Sequence, residues 1–290
     1  MTGPISRSFI SQRLHLHYAD WGNERAPPMI LVHGGRDHCR NWDWVAERLR
    51  HDWHVIAPDL RGHGDSQWAD AGGYTMPAFI YDLAQLIKSQ GFPKVSIVAH
   101  SMGGNIATRF TALYPEIVEQ LVSIEGLGYS PKREAELGAQ GVDARLRDYI
   151  AELRQLAARV PRRYPSIEAA FARMQAENPR LSEAQALHLT RHGVRQNEDG
   201  TFSWKFDNYM RAWPPIDVTP EELRYLWSRV TCRTALVYGS ESWASNPAED
   251  GRAAHFPNAE VALFEGAGHW VQHDKLEEFL ALLGRFLRRP

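Results

Sequence analysis

A serine followed by glycines at the end of a buried apolar run is a place where a chain can do nucleophilic chemistry. The stretch KVSIVAHSMGGN, residues 94–105, has that form. The run predicts a strand ending at His100-Ser101, and the glycines at 103 and 104 predict a helix opening directly after it. A serine on so sharp a turn shows its hydroxyl at the sheet edge. Strand and helix backbones nearly touch there, so the residues two before and two after must be small; here they are Ala99 and Gly103. The helix N-terminus behind Ser101 offers free N–H groups and a positive dipole that favour developing negative charge. A Gly-rich helix start carrying an incidental serine is the plainer alternative. A serine hydroxyl is a weak nucleophile and needs a base. Of 13 histidines, His269 in EGAGHWVQ fits, because it follows the last apolar run in a glycine-bracketed loop just before the final helical pattern. His33 in VHGG and His63 in RGHGDS read as loop organisers. His51, His54, His188, His192, His255 and His273 read as surface or satisfied core residues.

The elements that must hold these groups are legible as an alternation of apolar runs and amphipathic segments, the pattern of a mostly parallel sheet with helices on both faces. LHLHYAD (14–20) alternates with period two, MILVHGG (29–35) is a buried run ending in glycines, and HVIAPDLRGHGDS (54–66) is a strand running into a Gly-rich loop. TMPAFIYDLAQLIKSQG (75–91) carries helix signals: Thr75 as cap, Pro77 in the first turn and Gly91 after the last. After VEQLVSIEG (118–126) the pattern changes. DARLRDYIAELRQLAARV (143–160) sets Leu146, Tyr149, Ile150, Leu153, Leu156 and Ala157 on one helical face. IEAAFARM and LSEAQALHLTRHG predict further short helices, the second opened by a Ser182/Gln185 capping box, and GTFSWKFD predicts a short strand. Strand–helix alternation resumes at TALVYG (234–239). The expected organisation is a core formed by residues 1–126 and 216–290, interrupted by a helical insertion at 127–215.

Composition narrows the function classes. A chain of 290 residues with 43% hydrophobic and 23% charged residues and a formal net charge of −2 has room for one large α/β domain. That balance gives no support for nucleic-acid binding. No apolar run approaches the ~18 residues that span a bilayer, and the N-terminus lacks the apolar core of a secretory signal. The 2 cysteines, Cys39 and Cys232, are far apart and have no metal-ligand spacing. A cytoplasmic setting is expected, with no cofactor, metal, nucleic-acid or membrane partner.

HGG at 33–35, DLRGHGDS at 59–66, HSMGG at 100–104 and GAGHW at 266–270 occur in an order that resembles the α/β-hydrolase fold superfamily across nearly the whole core. The resemblance implies an eight-stranded, mostly parallel sheet with a helical cap. It also implies that the backbone N–H groups of Gly35 and Met102 form an oxyanion hole. Alanine at position 99, where glycine is commoner, is still small. In most of the superfamily the acid that orients the histidine stands three residues after the glycine of the strand matching TALVYG. Here that residue is Ser242, which carries no charge. Some branches, haloalkane dehalogenases among them, move the acid to the end of the strand after the nucleophile helix. That strand closes on Glu125, and a carboxylate ending a buried run is costly unless it has a partner. Glu125 is the expected acid, with Glu241 in reserve. A serine at position 101 argues against dehalogenase and epoxide-hydrolase chemistry, which use an aspartate nucleophile in this fold.

The resemblance places a cap over the sheet edge at the insertion. Arg36, Trp243 and Trp270 are candidate pocket residues, with Asp37 and His38 beside them; Trp204, Phe206, Tyr209 and Trp213 have a spacing more often found in cap core than in ligand contacts and are not taken as binding residues. The expected function is a serine hydrolase of carboxylic esters that takes a small-molecule acyl substrate through an acyl-enzyme. Carbon–carbon bond hydrolysis, lactone hydrolysis and perhydrolysis use the same residues. A ligand-binding protein on the same scaffold is the non-catalytic alternative.

Overall fold

In a computed structural model, residues 3–215 and 217–287 are described. Residue 216, at the expected boundary between insertion and core, lies outside them, as do 1, 2 and 288–290. The strands are β1 (Ile5–Ser11), β2 (Leu14–Asp20), β3 (Pro28–Val32), β4 (His54–Pro58), β5 (Val95–His100), β6 (Val118–Ile124), β7 (Val194–Gln196), β8 (Phe202–Trp204), β9 (Arg233–Gly239) and β10 (Ala259–Phe264). The helices are α1 (Asp43–Leu49), α2 (Met76–Ser89), α3 (Met102–Leu113), α4 (Pro131–Gly138), α5 (Val142–Ala157), α6 (Ile167–Glu177), α7 (Glu183–Gly193), α8 (Pro220–Ser228), α9 (Val271–Asp274) and α10 (Leu276–Phe286).

Among the described residues the main sheet has 8 strands in the order β1-β2-β4-β3-β5-β6-β9-β10. Strands β4, β3, β5, β6, β9 and β10 are parallel to one another, and β2 runs against both of its neighbours. Alternation along each central strand sends side chains to two separate cores. Ile30, Val32, Ile97 and Ala99 meet Phe79 and Leu83 of α2, Ile106 and Phe110 of α3, and Trp227 of α8. Met29, Leu31, Val98 and Val122 meet Trp42, Val45 of α1 and Phe279, Leu283 and Phe286 of α10. Each fully buried Leu, Ile or Phe contributes ~1.5–3 kcal/mol, so both faces hold the strand ends rigidly. Chain order reverses between β3 and β5, which makes the carboxyl ends of these strands the crevice of the sheet.

In three places the structure adds to the sequence reading or departs from it. Strand β1 has no apolar alternation to announce it, because it is an edge strand with most of its residues exposed. The stretch AEDGRAAHF yields a 3-10 turn at Arg252–His255. On α5 the predicted apolar face forms but is largely uncovered: Leu146 and Ile150 are 37% and 47% exposed, and Leu156 is buried. Periodicity sets which residues share a face; it does not supply a partner to cover that face. The capping box at Ser182/Gln185 is present, and Thr75 Oγ1 accepts from the Ala78 N–H at 3.3 Å. Between β6 and β9 the chain forms α4 to α7, the antiparallel pair β7/β8, and α8.

Candidate active site

Ser101 sits between β5 and α3 with φ 54° and ψ −119°. Left-handed backbone at a non-glycine residue costs on the order of 1–3 kcal/mol and needs surrounding structure to hold it. Here the Ser101 N–H donates to the Ile124 carbonyl at 2.7 Å, and the Ser101 carbonyl accepts from Asn105 N–H at 3.0 Å. Gly103 explains why nothing larger fits below the turn: a Cβ there would lie 2.3 Å from the His33 carbonyl oxygen. Glu125, at the end of the neighbouring strand β6, repeats the device with φ 50°, its N–H donating to the Val237 carbonyl at 2.9 Å.

The loop after β10 carries His269 to both residues. His269 Nε2 lies 3.0 Å from Ser101 Oγ, and His269 Nδ1 is hydrogen-bonded to Glu125 Oε2. A carboxylate only accepts, so the Nδ1–Glu125 bond puts the proton on Nδ1 and leaves Nε2 as the acceptor facing the serine. Glu125 is 5% exposed and is satisfied from three sides. Its Oε1 accepts from Gly239 N–H at 3.0 Å, and its Oε2 also accepts from Ser242 Oγ–H at 2.6 Å. The residue standing where an acid was expected is therefore a donor to the acid on the next strand. Gly239 has no room for a side chain, since a Cβ would meet the Ala267 carbonyl oxygen at 2.4 Å. That close approach seats the His269 loop on the end of β9. Glu241 is turned away from this centre: its carboxylate pairs with Arg180, and its N–H donates to the Ala267 carbonyl at 2.9 Å. The reserve assignment thus meets a side chain bound elsewhere, one residue out of register with the inward-facing Ser242.

The loop after β3 closes the other side. A Cβ on Gly34 would lie 3.2 Å from Ser101 Cβ, and one on Gly35 would lie 3.7 Å from Met102 Sδ, so the two proposed oxyanion positions abut. Met102 opens α3, where its N–H has no acceptor within the helix. Two neutral histidines brace this loop. His33 Nδ1–H donates to the Gly34 carbonyl at 2.7 Å, and its Nε2 accepts from Leu60 N–H at 3.0 Å. His63 Nδ1–H donates to the Arg61 carbonyl at 3.0 Å, and its Nε2 accepts from Arg36 N–H at 2.9 Å. Burial pushes both imidazoles below the usual histidine range, His63 to about 3, with His33 adding to the shift. Their neutral form is the one these bonds require.

Of the candidate pocket residues, Trp243 is 77% exposed and lies with its ring centroid 4.7 Å from that of His269. Trp270 packs beside Leu181, Ala186 and Leu189 of the insertion. Arg36 is exposed beside Gly35. Asp37 is buried, accepts from His38 N–H at 2.8 Å, and is hydrogen-bonded to Asn41; burial raises its carboxyl to about 8. A cavity of about 610 Å³ lies away from Ser101, lined by Gly64, Asp65, Trp68, Arg195 and Lys205 among others. One neighbour of the site was not legible in the sequence. His100 Nε2–H donates to the His269 carbonyl at 2.9 Å, and the two rings are 4.7 Å apart. Burial holds His100 well below the usual histidine range. Its only signal in the sequence is its place directly before Ser101.

Residues 27–276 match the family model for the alpha/beta hydrolase fold. The chain belongs to that family. As an enzyme it is a hydrolase. It is similar to a serine hydrolase-like protein of Danio rerio, 28% identical over 226 residues that span 76% of this chain and 67% of the relative. It is also similar to esterase YbfF of Escherichia coli, 28% identical over 269 residues, 90% of this chain and 92% of the relative. Among solved structures, a thioesterase domain from the curacin biosynthetic pathway superposes with a TM-score of 0.83 at 21% identity, covering 97% of this chain and 99% of the other. That likeness speaks to the fold. Among the described residues of this α/β hydrolase, no helix is long and apolar enough to cross a membrane.

Proposed function

We propose that this hydrolase cleaves carboxylic esters of small acyl substrates by two-step acyl transfer. Ser101 is the nucleophile, His269 the general base and then acid, and Glu125 the carboxylate that orients His269. The N–H groups of Gly35 and Met102 form the oxyanion hole. The observation that carries this reading is the continuous contact from Ser101 Oγ to His269 Nε2 at 3.0 Å and on through Nδ1 to a fully bonded, buried Glu125. The esterase relatives support the same bond class.

In the first step Ser101 Oγ attacks the ester carbonyl as its proton passes to His269 Nε2. The imidazolium then faces the Glu125 carboxylate, whose other hydrogen bonds, from Gly239 N–H and the Ser242 hydroxyl, keep it aimed. The tetrahedral oxyanion lies between two backbone donors that need no reorganisation, each worth about 2.7–4 kcal/mol in comparable sites. His269 returns the proton to the departing alcohol. Water then repeats the sequence on the acyl-enzyme, releasing the acid and restoring Ser101. Trp243, its ring tilted 39° against that of His269 and open to solvent, is a platform against which an apolar acyl or alcohol group can lie.

The test is a panel of p-nitrophenyl esters, lactones and 1,3-diketones, together with labelling by a serine-directed fluorophosphonate. Ester turnover and labelling that both disappear in Ser101→Ala support the proposal. Turnover confined to the diketones or lactones would move the substrate class. Absence of both turnover and label would reduce the chain to a binding scaffold.

A further inference from the structure

Outside the catalytic centre, two sets of side chains converge with metal-ligand chemistry: His17, Cys39 and Asp59, and Asp43, His188 and His192. One cavity of about 100 Å³ is lined by residues of both, including His17, Cys39, Asp59, Arg40 and His192. The first set is a finished structural network. Asp59 accepts from the N–H groups of Cys39 at 2.7 Å and Asp65 at 2.9 Å and pairs with His17 at 2.7 Å. Burial keeps the Cys39 thiol protonated.

The second set is different. His188 and His192 are one helical turn apart on α7, with ring centroids 4.6 Å apart, and they face Asp43, the first residue of α1. His188 Nε2 lies 3.1 Å from Asp43 Oδ2, and all three donor groups fall within 4.8 Å of one another. Ligand atoms on a tetrahedral zinc ion with bonds of 2.0–2.1 Å stand about 3.3 Å apart, so small rotations bring this set to that geometry. All three residues are partly exposed, which leaves a path for an ion. A cation already holds the space between them. The Arg40 guanidinium donates through Nε to Asp43 at 2.9 Å, through Nη2 to Asp43 Oδ2 at 2.6 Å, and through Nη1 to His192 Nδ1 at 3.3 Å. Because Nη1 can only donate, His192 Nδ1 presents a lone pair, the form a metal requires.

We propose that Asp43, His188 and His192 form a binding site for one divalent transition-metal ion of the zinc type, entered by displacement of Arg40. Three protein ligands leave a fourth position for solvent. Arg40 lines the adjoining cavity and has room to withdraw into it. The bound ion joins α7 of the insertion to α1 of the core. To ligate through Nε2, His188 takes the tautomer with its proton on Nδ1 and gives up the bond that Nε2–H now donates to the Arg40 carbonyl at 3.1 Å. The i, i+4 pair on α7 is visible in the sequence as LHLTRHG; the distant Asp43 is not.

The experiment is calorimetric titration of the EDTA-treated full chain with zinc chloride, with thermal unfolding as a second readout. The expected result is one ion per chain and a raised Tm. Affinity should fall at least about 10-fold in the His188→Gln/His192→Gln double variant. Arg40→Gln should tighten binding at least about 3-fold, because the competing cation is gone, a gain that impaired folding would not produce. Cys39→Ser should leave the isotherm unchanged. No saturable binding up to about 1 mM, an isotherm indifferent to the double variant, loss of binding in Cys39→Ser, or weakening in Arg40→Gln overturns the proposal.

Discussion

Replacing Glu125 with glutamine removes a charge while keeping shape, and the surrounding hydrogen bonds determine how His269, the proposed base, responds. Oε1 accepts from the Gly239 N–H, which is fixed in the backbone, and Oε2 accepts from Ser242 and His269. A glutamine that turned its NH2 toward Gly239 would set two donors 3.0 Å apart in a buried place, at a cost of about 1–3 kcal/mol. The opposite orientation avoids that clash, because the Ser242 hydroxyl can rotate to accept. The NH2 then faces His269 Nδ1 and draws it into the tautomer with the proton on Nε2. An Nε2–H cannot accept from Ser101. Comparable wrong-tautomer variants lose about 10⁴ in kcat, which corresponds to about 5.4 kcal/mol of barrier. The assay is kcat on p-nitrophenyl acetate for the wild type, Glu125→Gln and Glu241→Gln, with Tm measured alongside. Glu241, paired with Arg180 at the surface, should change kcat less than about 3-fold when neutralised. A Glu125→Gln enzyme within about tenfold of wild type, or a larger loss in Glu241→Gln, would refute the reasoning.

Because Ser242 Oγ lies 2.6 Å from Glu125 Oε2, adding Ser242→Asp to Glu125→Gln brings a carboxylate within reach of His269. It should recover at least about tenfold of the lost kcat, and a double variant no faster than the single would show that the two positions are not interchangeable. Gly103→Ala forces a Cβ to within 2.3 Å of the His33 carbonyl; urea unfolding should show a loss of about 2 kcal/mol or more, and an unchanged midpoint would count against the close approach. Asp37 bears on pH. Its folded pKa of about 8 lies above its unfolded value, so its contribution is fully present below about pH 4 and is lost as pH rises through 8. Asp37→Asn should therefore become more stable relative to wild type between pH 5 and about pH 8.5 in paired urea melts; a constant difference would mean the carboxyl titrates normally.

What the sequence determined by itself is the set of features that local backbone geometry enforces. A buried run, a serine and two glycines describe the turn at Ser101, because strand and helix can meet so closely only if positions 99 and 103 are small. HGG and GAGHW place Gly35 and His269 on the loops after β3 and β10, and the structure brings those loops to Ser101. The proposed carboxylate had a local trace in a buried strand that closes on Glu125; that position 242 is uncharged carried meaning only through the resemblance to the superfamily. Tertiary structure alone decided how distant strands share work. Ser242 looked like a vacancy and is a donor to Glu125, since the ends of β6 and β9 are paired side by side. His100 looked like a strand residue and supports the carbonyl of His269. The face of α5 was correct in period yet mostly uncovered, and the histidine pair on α7 meets Asp43 through a contact spanning well over a hundred residues. Helical and strand periods are set by neighbours along the chain. Which faces are covered, and which polar groups find each other, depends on contacts that exist only once the sheet has assembled.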